Sequence, residues 1–194
     1  MIALALVLSG CGGDAAQTDS LRTRYQDMDG CVMEARVSCD WAGTPWDALL
    51  RCTYLPGEGS VIEVLEPETI AGVKAVLDGE TWCLAYEGDC LDAGGVSREE
   101  ISPAACLPRL MDALREGWPL EENQEDWNGV PCLRLTVDQT GTRAEKVYTT
   151  VWIRLDSGIP LRGEISVDGE TALTAAFTEF AFYRAEAPSD ADAG

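Results

Sequence analysis

The sequence predicts an α+β domain: a curled antiparallel sheet with an N-terminal helix and an inserted amphipathic helix that covers its apolar face. Three observations predict this architecture. Many short segments alternate apolar and polar residues with a period of two, and turn residues such as Asp78-Gly79 join them into hairpins. A single longer segment, Ser102 to Gly117, has helical periodicity instead. About nine strands are expected, which is enough for the sheet to curl.

The composition favours one globular binding domain. Of the 194 residues, 46% are hydrophobic and 25% are charged, as in ordinary globular domains. The net charge of −20 excludes a nucleic-acid binder, because nothing would neutralise the phosphates. The chain has no His, which removes the commonest general base and zinc ligand. We therefore expect no nucleic-acid partner, no catalytic residues, no metal and no cofactor.

The N-terminus predicts an exported, lipid-anchored protein. Ile2 to Leu8 is an apolar run of signal-peptide length, too short to span a membrane, and Leu8-Ser9-Gly10-Cys11 resembles a bacterial lipobox. In such a motif the Cys11 thiol receives a diacylglycerol, whose acyl chains hold the domain on the membrane. No Lys or Arg precedes Ile2, unlike ordinary export signals, and the alternative is a buried strand followed by a glycine-rich turn.

Four segments follow from this pattern. They are a signal peptide with the lipobox cysteine (1–11), a flexible tether (12–20), a folded domain (21–184) and a disordered acidic tail (185–194). The tether is small and polar without periodicity, and the tail is small and acidic except for Pro188. The domain is therefore expected at the extracytoplasmic face of a bacterial cell membrane.

The first elements are a short helix and a hairpin. Asp19 to Asp27 is expected to be helical, and strict alternation predicts a strand from Cys31 to Trp41. Gly43, Thr44 and Pro45 interrupt regular structure before the next alternating run. The expected pairs across this hairpin are Cys39 with Cys52, Trp41 with Leu50 and Val37 with Tyr54. Cys39 and Cys52 are then neighbours that form a possible disulfide or, when reduced, small apolar core residues.

The cysteine count allows no complete internal pairing. Seven of the eight cysteines remain once Cys11 is lipidated, so at least one thiol is free or intermolecular. Their spacing contains no CxxC pair, which disfavours zinc.

Further strands are expected at Ser60 to Glu66, Val130 to Asp138 and Ala144 to Leu155. A two-residue Asp78-Gly79 turn sets Leu77 opposite Glu80, Ala75 opposite Trp82 and Val73 opposite Leu84. A turn at Glu87-Gly88 then brings Leu91 against Leu84. The last two strands flank Asp168-Gly169, and their apolar faces match only through a three-residue loop with Gly169 or Glu170 left-handed or bulged.

The inserted helix is expected to be a lid. Its apolar stripe is formed by Leu107, Leu110, Met111 and Leu114, whereas Arg109, Asp112 and Arg115 face away. Pro108 suits only the first turn, and Gly117 with Pro119 ends the helix. The lid and the sheet face beneath it, which includes Ala75, Leu77, Trp82, Leu84, Ile165, Val167 and Leu173, are the predicted cavity.

The order of these segments resembles the LolA and LolB superfamily of lipoprotein carriers. The segments that carry the likeness begin with Val61-Ile62-Glu63-Val64-Leu65-Glu66-Pro67-Glu68-Thr69-Ile70-Ala71-Gly72-Val73 and Leu84-Ala85-Tyr86-Glu87-Gly88. They continue with Ile101-Ser102-Pro103 to Leu107-Pro108, Val151-Trp152-Ile153 to Pro160, and Glu164-Ile165 to Phe180. Together they look most like LolA-like lipoproteins of Gram-positive spore formers, including the germination lipoprotein GerS.

The resemblance implies a non-enzymatic half-barrel that binds an acyl or lipid ligand or a protein partner such as a cell-wall amidase. It also implies a germination-related envelope protein on a Gram-positive membrane. One alternative is a structural or regulatory envelope protein whose core is filled by its own side chains. A hydrolase using Glu99-Glu100 or the acidic cluster from Glu121 to Asp126 is disfavoured, because adjacent acids on polar segments are usually solvated.

Overall fold

A computed structural model describes residues 12–41, 44–78, 81–95 and 101–183. The helices are α1 (Gly12–Gln26) and α2 (Cys106–Glu116), and the strands are β1 (Gly30–Trp41), β2 (Thr44–Leu55), β3 (Gly59–Glu66), β4 (Lys74–Asp78), β5 (Thr81–Tyr86), β6 (Asp89–Gly95), β7 (Pro119–Trp127), β8 (Val130–Asp138), β9 (Val147–Arg154), β10 (Pro160–Val167) and β11 (Glu170–Tyr183). The predicted signal peptide, Cys11 and the acidic tail lie outside the described residues.

One antiparallel sheet contains all the described strands, in the order β6-β5-β4-β3-β2-β1-β11-β10-β9-β8-β7. Each strand pairs with its neighbour in sequence, except that β1 and β11 join the two halves and β6 and β7 form the edges. Helix α2 connects the two edge strands. The sheet is an open, curled half-barrel, and both helices contribute to the apolar core on its concave face. This confirms the predicted fold class.

Helix α1 begins at Gly12, so the prediction that residues 12–20 form a flexible tether is wrong for the described part of that segment. Tertiary contacts support this helix, because Gln17 donates a hydrogen bond to the Leu155 carbonyl oxygen and the buried Tyr25 hydroxyl donates to Gly158 at 2.8 Å. Contacts of this kind are not visible in a local pattern of small polar residues.

Helix α2 begins and ends where its sequence signals predict. A turn with a hydrogen bond from the Ala105 N–H to the Ser102 carbonyl precedes it, Pro108 lies in its first turn, and Gly117 ends it. Leu110 lies against the backbone of β10, since a Cβ added at Gly163 would be 2.6 Å from the Leu110 Cδ1 atom. The helix therefore packs directly on the sheet along this line.

The predicted register of the first hairpin is wrong. Trp41 pairs with Thr44, Cys39 with Trp46, Val37 with Ala48 and Cys52 with Met33. Cys39 and Cys52 are both free thiols, so the possible disulfide does not form. The prediction treats Thr44 and Pro45 as a break, whereas proline is tolerated at the start of a strand and β2 begins there.

Two other hairpins differ in register but keep the same faces. In the β4–β5 hairpin, Leu77 lies opposite Trp82 and Ala75 opposite Leu84, two positions from the predicted partners. A shift of two leaves every side chain on its original face. In the β10–β11 hairpin the turn is the two-residue Asp168-Gly169, and both residues have positive φ values. An irregularity after Ile165 pairs Ile165 with Leu173, which brings the apolar faces of the two strands to the same side of the sheet.

Candidate binding surface on the concave face

The part of the concave face beneath α2 is filled by the protein's own side chains, and we call it the closed half. Leu107, Leu110, Met111 and Leu114 of the predicted lid are all buried, as are Ile165 and Leu173, and Val167 is partly buried against the same core. Leu110 retains 1% exposure. Because Leu110 contacts the sheet backbone at Gly163, the space that the sequence assigned to a cavity is packed core along this line.

The concave face continues past α2 onto β4, β5 and β6, where apolar side chains are exposed. Leu84 is 40% exposed and Leu91 is 70% exposed, and they lie opposite each other across β5 and β6. Val73 and Tyr86 extend the same surface. We call these four residues the open apolar patch, which borders a recess of about 430 Å³ completed by Ala85 and Asp89. That volume lies within the range of small-ligand sites.

A second, smaller recess of about 140 Å³ lies between α2 and the start of the open half, and we call it the polar cleft. Its sheet side includes the cross-strand row Tyr54, Ser60, Leu77 and Trp82. Its helix side includes Arg109, Asp112, Arg115 and Glu116. The expectation that Arg109, Asp112 and Arg115 face away from the sheet is therefore wrong, because α2 lies against the curled sheet on more than its apolar stripe.

Trp82 and Leu77 connect the two recesses. Trp82 is buried and lines the polar cleft, whereas Leu84, two residues later on the same face of β5, belongs to the open apolar patch. Same-face neighbours along one strand are about 7 Å apart. The predicted cavity residues Trp82 and Leu84 thus lie at the site, but Leu84 is exposed and is not covered by the helix as expected.

Two residues of the polar cleft, Tyr54 and Asp112, contact each other through their side chains. The Tyr54 hydroxyl donates a hydrogen bond to the Asp112 carboxylate at 2.5 Å. Burial raises the pKa of Tyr54, and the hydrogen bond and negative charge of Asp112 raise it further, whereas a hydrogen bond from Arg115 and its positive charge lower it. Tyr54 therefore stays protonated at physiological pH and serves as a fixed donor.

A further arginine of the polar cleft has a structural partner. The Arg109 Nε donates to the Gln139 side-chain oxygen at 2.9 Å, and the Thr149 hydroxyl donates to the same oxygen at 2.6 Å. Arg109 thereby links α2 to the end of β8 and, through Gln139, to Thr149 on β9.

The described thiols of the core are kept in their neutral form by burial. Burial raises the pKa of Cys31 to about 12, and it raises the pKa values of Cys52 and Cys106 as well. A thiol held neutral is a poor nucleophile and a poor metal ligand. Within the described residues, no group of three or more His, Cys, Asp or Glu side chains could hold a metal ion. Cys83 on β5 is disulfide-bonded, which the sequence analysis missed.

Among the described helices, neither is long and apolar enough to cross a membrane.

No protein-family model and no curated protein sequence matches the chain. Solved structures share its fold. A DUF1329 family protein from Desulfovibrio piger is 14% identical with a TM-score of 0.51, covering 89% of this chain and 94% of that chain. LprF from Mycobacterium bovis is 14% identical with a TM-score of 0.47, covering 92% and 99%. A LolA superfamily protein from Nitrosomonas europaea is 8% identical with a TM-score of 0.43, covering 88% and 93%. At 14% identity, the likeness to the Desulfovibrio piger protein concerns the fold alone.

Proposed function

We propose that the protein is a non-enzymatic binding module that holds one apolar chain, such as the acyl chain of a lipid, on the open apolar patch. The observation that carries this proposal is the exposure of Leu84, Tyr86 and Leu91 on the concave face, the side that the closed half uses for its core. Contiguous apolar groups around a recess mark binding sites, because covering them removes apolar surface from water.

The apolar lining of the recess and its position at the sheet edge favour a slender apolar ligand. Among the described side chains that line it, Asp89 is the one charged residue and most of the others are apolar. The patch ends at the edge strand β6. A chain lying across β4 to β6 would contact Val73, Leu84 and Leu91 in turn. Burying a fully exposed leucine side chain contributes about 1.5–3 kcal/mol, and Leu84, which is 40% exposed, contributes correspondingly less.

A protein partner is the second candidate occupant. The edge strand β6 lies beside the open apolar patch, and an edge can pair with an extended segment whose side chains reach such a patch. The resemblance to GerS-like lipoproteins supports a cell-wall amidase as this protein partner, with a role in germination of a Gram-positive cell. The close contact between Leu110 and the β10 backbone at Gly163 supports the self-filled alternative for the closed half.

Membrane attachment belongs to the same proposal. Cys11 would carry the diacylglycerol, and α1 begins directly after it, so the folded domain would lie close to the extracytoplasmic membrane surface. We expect Cys11→Ala to move the protein from the membrane to the soluble fraction or to leave an uncleaved precursor. Fractionation of cells that express each form checks this, and normal processing with unchanged membrane retention would contradict it.

The binding test compares two substitutions of equal charge. Leu84→Asp places a carboxylate in the open apolar patch, whereas Val61→Asp places one on the outer face, where Val61 is 38% exposed. We expect 1-decanol, a neutral single-chain probe, to bind the wild type and the Val61→Asp protein alike, and Leu84→Asp to weaken binding at least tenfold by calorimetric titration. Equal binding by all three proteins, or binding by none, would contradict the proposed site.

A further inference from the structure

We propose that the polar cleft is a headgroup site, so that the preferred ligand is an anionic single-chain amphiphile with a carboxylate or phosphate group. This inference rests on the proposed function, since it assigns the ligand's tail to the open apolar patch. It adds a chemical class, a charge and a second set of residues.

Arg115 is the cation of the cleft with unused donor capacity. Its Nε atom is buried and has no hydrogen-bond partner within the described residues. Its guanidinium also forms a hydrogen bond with the Tyr54 side chain, and its only described ion pair is to the adjacent Glu116, at 3.4 Å, whose side chain is 71% exposed. Buried donors are nearly always satisfied by protein, water or a ligand. The Arg115 side chain is 20% exposed, and a carboxylate or phosphate in the cleft would accept a charge-assisted hydrogen bond from the accessible part of its guanidinium.

Arg109 and Asp112 are engaged with other protein groups, whereas Arg115 keeps an unpartnered Nε beside its contacts with Tyr54 and Glu116, which makes it the recognition group. Asp112 accepts the Tyr54 hydroxyl, and Arg109 donates to Gln139. Two arginines and two acids make the local charge balanced, in contrast to the net charge of −20 for the whole chain. The surrounding negative field is screened beyond about 8 Å at physiological ionic strength, so it does not prevent binding of an anion beside Arg115.

The position of the cleft fits an amphiphile. Leu77 and Trp82 line the cleft, and Ala75 and Leu84 form the next row on the same face, about 7 Å away along the strands. A headgroup beside Arg115 therefore has its first methylene groups near Trp82 and its tail over Leu84. The cleft is too small for a whole ligand, which suits a headgroup pocket.

The test compares single-chain probes that differ only in headgroup: decanoate, decyl phosphate and 1-decanol, each titrated into the full chain at pH 8. We expect the wild type to bind at least one anionic probe on the order of tenfold more tightly than 1-decanol, as one charge-assisted hydrogen bond provides. Tighter binding of decyl phosphate than of decanoate would identify a phosphate headgroup, and the reverse order a carboxylate.

Arg115→Gln removes the charge, and Arg51→Gln is its matched control because Arg51 pairs with Glu34 on the outer face. We expect Arg115→Gln to abolish the preference for the anion while leaving 1-decanol binding intact, and Arg51→Gln to change neither. Should Arg115→Gln not fold, Arg115→Lys and the wild-type comparison decide the matter, since loss of the guanidinium geometry should also reduce the preference.

Failures of the two proposals are distinguishable. Equal affinity of the wild type for all three probes, with 1-decanol binding still lost in Leu84→Asp, overturns the headgroup site and leaves the tail site. A preference for the anion that persists in folded Arg115→Gln also overturns the headgroup site. Absence of binding by every probe overturns the proposed function and this inference with it.

Discussion

The two halves of the concave face are built from the same kind of alternating strand but end in opposite states. Beneath α2, Leu110 lies against the β10 backbone at Gly163 and the surrounding side chains are buried. On β4 to β6, Leu84 and Leu91 occupy equivalent inward positions and stay exposed. The difference arises from α2, which covers the closed half and leaves the open half exposed to solvent. We infer that the closed half provides the stability and that the open half provides the binding surface.

The largest effect on stability is expected from Leu110→Ala. This substitution removes a fully buried side chain from the closed half, and the lost transfer energy and the new cavity should lower the free energy of unfolding by about 2–5 kcal/mol. Denaturant unfolding measures the change. Adding 1-decanol should stabilise the variant and the wild type by the same increment, and a larger increment for the variant would mean that the helix covers a ligand site.

Alkaline pH should lower the free energy of unfolding by an amount of the same order as the Leu110→Ala substitution. The pKa of Cys31 is about 12 in the folded protein against 9.0 for an ordinary thiol. Because its folded pKa is raised, its contribution is complete below pH 9 and is lost as the pH rises towards 12. The three-unit difference sets an upper limit of about 4 kcal/mol. Urea unfolding of wild type and Cys31→Ala at intervals through this window should show a shallower decline for the variant, whereas parallel pH profiles would contradict this role of Cys31.

Gly163→Ala should cost less, about 1–3 kcal/mol, because its Cβ would be 2.6 Å from Leu110 Cδ1 and the packed side chain would have to move. The double variant Gly163→Ala with Leu110→Ala should lose less stability than the sum of the two single variants, since the smaller helix residue makes room. Strict additivity in the double-mutant cycle would show that the two residues do not meet.

The smallest effect on stability is expected from Leu91→Ala in the open half. Leu91 is 70% exposed, so its removal should change the free energy of unfolding by no more than about 0.5 kcal/mol. Binding of 1-decanol should nevertheless weaken severalfold, because the ligand loses an apolar contact. A large loss of stability with unchanged binding would reverse the roles assigned to the two halves.

Elements with strong periodicity could be predicted from the sequence. Alternation identified the strand ending at Trp41 and the strand Val130–Asp138, and the apolar stripe with Pro108 and Gly117 identified α2. The strand β7 was missed, since Pro119–Trp127 is a polar edge strand whose acids match those of a solvated loop. Its Glu125 accepts a hydrogen bond from the Trp152 indole at 2.5 Å on the outer face, a role for that acidic cluster that periodicity does not indicate.

The site was only partly predictable. Trp82 and Leu84 lie on one face of β5, because the register error of two positions in their hairpin preserved parity. Their part in a ligand site stays a prediction. The polar cleft could not be foreseen, since Arg115 lies off the apolar stripe of α2 and its burial depends on the curled sheet at Tyr54 and Trp82. Which half of the sheet α2 would cover is a tertiary property, and no local pattern specifies it.

The most direct test of the central claim is a map of the binding surface by backbone amide NMR during titration with 1-decanol. We expect chemical-shift changes to concentrate at Val73, Leu84, Tyr86 and Leu91 on the open apolar patch, with Leu110 and Gly163 unchanged. Changes centred on Leu110 and Gly163, with the patch unaffected, would place the ligand beneath the helix and contradict the division of the concave face into a structural half and a binding half.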